Sequence, residues 1–387
     1  MVLSQQTRWA RHDAGLQVEV DFGLSAREGR MKANSVDGNV GQELRPEAWA
    51  WHLLGLVNPL LVLVGNLQGG LWTGMALVLT FGMGPLLDVL LGRARQPRPP
   101  RSTGRPLEML LFVHAGLHFV VLATLIYRAA HDGAAWTTWV AALSTGVSSG
   151  VSGIIVAHEL GHTRPKSFSW WVARTQLLSV LYLHFTTEHN HTHHRHVATR
   201  SDPASARRGE SLWWFVARTI PGQFWDAAQV QRSKGRTGWR NPVWQGGWLQ
   251  CAMVVVLAVT AGPWVTLAVV LQAVFAIFLL EYINYIRHYG LSREVGERQT
   301  EYHSWQAEER WSRWTLLELT RHPAHHLKAA ERFWHLQPYA DSPSLPSGYY
   351  GCFWLALIPP LWRWVIHPRL SGSTVCRSDP REGVISE

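Results

Sequence analysis

Four short stretches of this 387-residue chain carry histidines at spacings that let imidazoles converge on metal. They are His158-Glu159-Leu160-Gly161-His162, Glu188-His189-Asn190-His191-Thr192-His193-His194, Asn284-Tyr285-Ile286-Arg287-His288 and His322-Pro323-Ala324-His325-His326. His158 and His162, four apart on a helix, face the same way. His189 and His193 share a helix face, and His194 points about 100° away, towards a second centre. Pro323 suits a first helical turn, and His322, His325 and His326 then lie on one face. With His288 these make nine usable imidazoles, more than one zinc ion takes. Imidazoles without thiolates suit iron, copper, zinc or nickel, and the excess over four ligands favours two ions.

The remaining candidates weigh less. His191 and His196 read as solvated or supporting residues, and the His114/His118 pair, inside an apolar stretch, as packed or pocket-lining. Glu281, Asn284 and His288 fall on one helical face, with Glu281 the deepest. A carboxylate inside an apolar helix is expensive unless paired or at work. Glu281 and Asn284 are therefore expected to serve the site, Glu281 as a supporting carboxylate, transient ligand or proton relay. His158-Glu159-Leu160-Gly161-His162 also fits the zincin pattern, and in particular that of intramembrane site-2 proteases. There Glu159 would be the general base and both histidines would bind zinc. That reading needs only one further ligand and leaves the other clusters without work.

The elements that must position these residues are membrane helices. Only 16% of the residues are charged, against about 25% in an average soluble domain. The 22 Trp residues suit membrane–water interfaces. Apolar runs near 48–66, 71–91, 107–128, 136–157, 248–261 and 264–285 predict six spans. Shorter Trp-rich segments near 170–185 and 353–366 suit interfacial or re-entrant placement. The loop from Gly92 to Pro106 carries Arg93, Arg95, Arg98, Arg101 and Arg105, whereas the loops at 67–70 and 261–263 carry no Lys or Arg. By the positive-inside rule the Arg-rich loop is cytoplasmic, which puts both termini and all four histidine clusters on that side. The net charge of +9 lies in such loops, so nucleic acid is not an expected partner. Cys251, Cys352 and Cys376 are scattered and form no CxxC pair, which argues against disulfide, zinc-ribbon and iron–sulfur frameworks. Residues 1–45 read as a polar tail without a signal peptide, 46–370 as the membrane domain and 371–387 as a second polar tail.

At these motifs the sequence resembles the integral-membrane alkane omega-hydroxylases (alkane 1-monooxygenases), which sit in a wider membrane di-iron group with xylene monooxygenases and fatty-acid desaturases. The resemblance runs from about Trp49 to Leu370. Besides the histidine motifs it is carried by Val197-Ala198-Thr199 through Asp202-Pro203-Ala204-Ser205-Ala206-Arg207, by Leu345-Pro346-Ser347-Gly348-Tyr349 and by Leu357-Ile358-Pro359-Pro360-Leu361-Trp362. It implies an all-α integral membrane fold of six transmembrane helices with a cytoplasmic, histidine-rich di-iron region. The family's ligand positions fall on His158, His162, His189, His193, His194, His288, His322, His325 and His326. The implied reaction is O2-dependent hydroxylation of the terminal methyl of linear alkanes to primary alcohols at two iron ions. No dinucleotide fingerprint is present, since Gly146, Gly150 and Gly153 have the wrong spacing and lie in a span. The two electrons would come from rubredoxin, fed by an NAD(P)H-dependent rubredoxin reductase, at a bacterial inner membrane. The apolar substrate would enter from the lipid bilayer. Related alternatives are oxygenation of aromatic methyl groups (xylene, cymene) or fatty acyl chains; a zinc protease and a metal transporter are more distant ones. Three positions depart from the family pattern: Thr192 stands for Gly, Thr163 for Lys and Arg287 for Glu. A cation beside His288 predicts altered surroundings for that histidine or an altered docking face for the electron donor.

Overall fold

The computed structural model describes residues 46–372 except 95 and 100–102. The tail expected over 1–45, nearly all of that over 371–387, and Arg95 and Arg101 of the basic loop lie outside the described residues. Among those described the chain is helical, with two isolated β-bridges and no strand. Among the described residues six helices are long and apolar enough to cross a membrane. In chain order, α1 (Trp49–Gln68), α2 (Gly70–Leu91), α3 (Arg105–Asp132) and α4 (Trp136–Gly161) form the first four. Two shorter helices follow, α5 (Phe168–Ser179) and the composite α6 (185–196), then the amphipathic α7 (Leu212–Ser233). The last two candidate spans are α8 (Pro242–Ala261) and α9 (Pro263–His288). Beyond them come α10 (Arg310–Thr315), α11 (His322–Leu327), α12 (Tyr349–Leu357) and α13 (Pro359–Gly372).

The boundaries follow from local chemistry. Pro106, Pro242 and Pro263 start α3, α8 and α9, where the missing N–H costs nothing. Gly262, at φ 83°, makes the turn between α8 and α9, a conformation that penalises any side chain. The fifth span begins at Pro242 rather than near 248, because the Asn241 side chain accepts from the Val243 N–H and caps a helix six residues earlier than the apolar run suggests.

α4 is the most enclosed of the six and packs along α9, while α8 is peripheral and turns Val255, Val256 and Val259 outward. Close packing depends on small residues. A Cβ on Gly146 would lie 2.9 Å from the Gln272 carbonyl of α9, and one on Gly153 would lie 2.9 Å from the His118 ring of α3. These glycines serve helix approach. At 26 residues each, α4 and α9 are about 39 Å long, whereas a bilayer's hydrocarbon core is about 30 Å thick. Each is thus about 9 Å longer than the apolar slab, and their histidine-bearing ends meet at one end of the bundle.

That end is closed by residues 289–348, held down through buried ion pairs and hydrogen bonds. Arg313 binds Glu318 at 2.8 Å and Glu47 at 2.7 Å, Arg321 binds Glu308 at 3.0 Å, and Asp88 of α2 accepts from the Ser312 N–H at 2.9 Å. At the opposite end, Arg128 pairs with Asp132 at 3.0 Å and donates to the Asn66 and Leu67 carbonyls at the end of α1. Its charge is thus neutralised within the fold.

Candidate metal centre

Four segments bring the nine histidines together, and they sort into two groups. His158, His162, His189, His194 and His325 form one, and His193, His288, His322 and His326 the other; within each, the nitrogens offered lie within 4.8 Å of one another. The groups adjoin, with the His194 and His326 ring centroids 4.6 Å apart. α4 and α9 deliver His158 and His288 from inside the bundle, α6 supplies three histidines, and α11 lays its three across both groups.

The partition differs from the sequence expectation. His189 and His193, predicted to share a face, go to different groups, and His189 joins His194. The cause is a π-helical turn over His189–His193, which follows i→i+5 instead of i→i+4 bonding. A second π-segment, Ser149–Ile155, immediately precedes the His158 motif.

The arrangement fits metal ions. His322 Nε2 lies 3.0 Å from His288 Nε2 and 2.9 Å from His326 Nε2. His194 Nε2 lies 3.1 Å from both His189 Nε2 and His325 Nε2. A ring nitrogen has one in-plane site, either an N–H or a lone pair, so hydrogen bonding satisfies only one of each pair of neighbours. The buried Nε2 atoms of His158, His162 and His193 have no hydrogen-bond partner among the described residues. A cation among the lone pairs accounts for all of these. The histidines are also in the required neutral form. Burial pushes His162 down to about 4. Burial, and then neighbouring histidines, hold His189, His194, His325 and His326 well below the usual range, and His322 likewise with Arg287 contributing.

Supporting contacts fix two rings. The His193 Nδ1–H donates to Asp202 at 2.9 Å, with both side chains buried, and the His288 Nδ1–H donates to the His303 carbonyl at 3.3 Å. Each leaves Nε2 facing the group, the usual way a second partner sets a ligand's tautomer. Sequence reasoning gave Asp202 no role. The signal was present in Asp202-Pro203-Ala204-Ser205, a turn signature nine residues after His193.

The three other predicted site residues lie outside both groups. Glu159 accepts from the Phe333 N–H at 3.4 Å and lies 3.6 Å from Arg332, so it ties α4 to the closing segment. Glu281 accepts from Tyr182 at 3.0 Å, from Gln223 at 2.9 Å and from Asn284 at 3.1 Å, within electrostatic reach of His193. Tyr182 and Gln223 were not anticipated, because they come from distant segments. His191 is exposed, and neither it nor His196 joins a group. His114 bonds Ser152 at 2.8 Å and His118 bonds Ser179 at 2.7 Å, as packed polar residues. Arg287 is buried, so the expectation that it alters a donor-docking face is corrected: the cation points inward.

Below the histidines an apolar cavity runs between α2, α4, α9 and α12. Its walls include Phe81, Val151, Ile155, Leu280, Ile283 and Phe353, and its histidine end is formed by His158, His189, Asn284 and Arg287.

Known proteins supply the remaining context. Residues 134–356 match the fatty acid desaturase family. Alkane 1-monooxygenase 1 of Alcanivorax borkumensis is 33% identical, across 83% of this chain and 84% of its own. Alkane 1-monooxygenase 1 of Pseudomonas aeruginosa is 34% identical, across 83% and 90%. The chain belongs to the alkane 1-monooxygenase family. It is accordingly an enzyme of the monooxygenase class, and the protease and transporter readings fall away. The chain is also similar to the hydroxylase component of the xylene/toluene monooxygenase of Pseudomonas putida, 32% identical across 57% of this chain and 61% of its own.

Proposed function

We propose that this protein hydroxylates the terminal methyl of linear alkanes to primary alcohols, using O2 and two electrons delivered from outside. The observation that carries the reading is the pairing of two all-histidine groups with an apolar cavity that ends against them. His158, His162, His189, His194 and His325 would hold one iron, and His193, His288, His322 and His326 the other. When bound, the two irons supply the oxidising power that splits O2 and attacks an unactivated C–H bond.

The chain's own residues do the rest. The apolar walls bind the hydrocarbon and exclude water, and the cavity's histidine end directs a chain terminus at His158 and His189. Asp202 and the His303 carbonyl hold the tautomers of His193 and His288. Glu281, in its cage of Tyr182, Gln223 and Asn284, is the buried acid beside the His193 group.

In this reading the site faces the cytoplasm of a bacterial inner membrane. Support comes from the basic Gly92–Pro106 loop at the histidine end and from Arg128 being spent on Asp132 and helix carbonyls at the other. Rubredoxin, fed by an NAD(P)H-dependent reductase, is the proposed donor. Similarity to the xylene/toluene enzyme favours aromatic methyl groups as the second reading. Cells expressing the protein with a rubredoxin system should convert octane or hexadecane to the 1-alkanol, and the purified protein should hold one iron per histidine group. Turnover of p-xylene without alkanes would favour the second reading, and a single zinc per chain would overturn both.

A further inference from the structure

Among the described residues four arginines are deeply buried: Arg128, Arg287, Arg313 and Arg321. Three have carboxylates. Arg128 has Asp132, Arg313 has Glu318 and Glu47, and Arg321 has Glu308. Arg287 is 2% exposed and has no carboxylate within ion-pair distance among the described residues. Its Nε–H donates to the Tyr349 hydroxyl at 3.0 Å, one terminal nitrogen reaches the Leu319 carbonyl at 3.5 Å, and the guanidinium lies 5.6 Å from the centre of the Tyr349 ring. A guanidinium carries five N–H donors, so most have no acceptor among the described residues. A buried charge without a partner costs several kcal/mol and marks a functional position by default.

The placement says what the missing partner is. Arg287 lines the apolar cavity at its histidine end, and among the described residues no Asp or Glu lines that cavity with it. The complement must therefore arrive with the ligand, and it must be an oxygen anion attached to something apolar.

We propose that Arg287 makes this cavity a binding site for aliphatic carboxylates, with the head group on the guanidinium and the alkyl chain along the wall formed by Val151, Ile155, Leu280 and Phe353. The inference rests on the cavity being the substrate site proposed above. A planar guanidinium matches a carboxylate in bidentate fashion, and the alkyl chain would take the place a hydrocarbon substrate takes. Such an acid would enter as a competing ligand or as an alternative substrate.

The test uses the iron-loaded full chain in detergent or nanodiscs and reads ligand-induced thermal stabilisation with decanoate, decane and decylamine. Competition of each ligand against alkane turnover is a second readout. The wild type should be stabilised by decanoate at lower concentration than by decane and not by decylamine. Arg287→Gln should weaken decanoate by roughly 10- to 100-fold, as expected for hydrogen bonds to a charged group, and so collapse the preference over decane. Arg287→Lys should keep part of it. If Arg287→Gln does not fold, the wild-type ligand series and Arg287→Lys still decide. Equal decanoate affinity in wild type and Arg287→Gln would overturn the proposal, as would a wild type that binds decane but ignores decanoate. Failure of every ligand, decane included, would instead sink the substrate-site reading.

Discussion

Asp202→Asn should selectively weaken one of the two metal positions. Asp202 Oδ2 accepts from the His193 Nδ1–H at 2.9 Å and from the Ser205 hydroxyl at 2.6 Å, while Oδ1 accepts from the Ala204 N–H at 3.0 Å. An amide offers one oxygen, so either the Ala204 N–H or the His193 N–H loses its acceptor and meets an NH2. In the first case a charge-assisted bond to His193 becomes a neutral one of about half the strength. In the second, His193 must carry its proton on Nε2 and ceases to be a ligand. Loss of such a partner weakens metal binding by roughly 10- to 100-fold, or about 1.4–2.7 kcal/mol. The loss should fall on the group of His193, His288, His322 and His326, leaving the other five histidines loaded. Iron retained during graded anaerobic chelation, followed by Mössbauer spectroscopy to separate the sites, measures this directly. Ser205→Ala, which disturbs the same turn but leaves the carboxylate, should destabilise the fold without preferential iron loss. Parallel release from both groups, or wild-type retention in Asp202→Asn, would refute the reasoning.

Three further outcomes are expected. His189→Ala should lose iron from the five-histidine group, whereas His191→Ala should keep the full complement; equal losses by iron assay would show the register within α6 to be wrong. Metal-free protein should become less stable as pH falls from about 6.5 towards 4. Burial lowers His162 to about 4 and His184 to about 3, so the unfolded chain binds more protons in that interval and stability is lost on acidification. Midpoints of thermal melts against pH check the sign, and a flat profile contradicts it. In a chain freed of Cys251 and Cys376, single cysteines replacing Leu71 and Ala134 should react with impermeant reagents from outside the cell, and one replacing Thr103 only after the membrane is breached. Labelling of position 103 from outside would put the histidines on the wrong side for a cytoplasmic electron donor.

Much of the site was legible because histidine spacing is a local property. His322, His325 and His326 occupy one face of a short helix, and the six spans follow from apolar runs alone. What was not legible depends on non-local contact or on irregular helix. An α-helical wheel pairs His189 with His193, and only a π-turn reverses that. Gln223 and Tyr182 reach Glu281 from segments 58 and 99 residues away in sequence, with no pattern to announce them. The start of α8 was hidden because Trp244, Gln245, Gly246 and Gly247 dilute its apolar signal. Arg287 stood out as a departure from the family pattern, but whether it faced water or the interior was a matter of packing.

The two π-segments beside the histidines make the site depend on helix pitch as well as on the residues present. Each takes one residue more into its turn than regular α-helix would, so everything beyond it lies about 100° from where an unbroken α-helix of the same length would put it. A return of 149–155 to regular pitch at unchanged length would swing His158 and His162 around the helix, although every ligand would still be present in the sequence. Removing a single residue from this stretch takes the extra residue out of the turn and leaves both histidines close to their present direction. Related chains that lack one residue there should therefore be read as keeping the angular phase of their metal site on a regular helix.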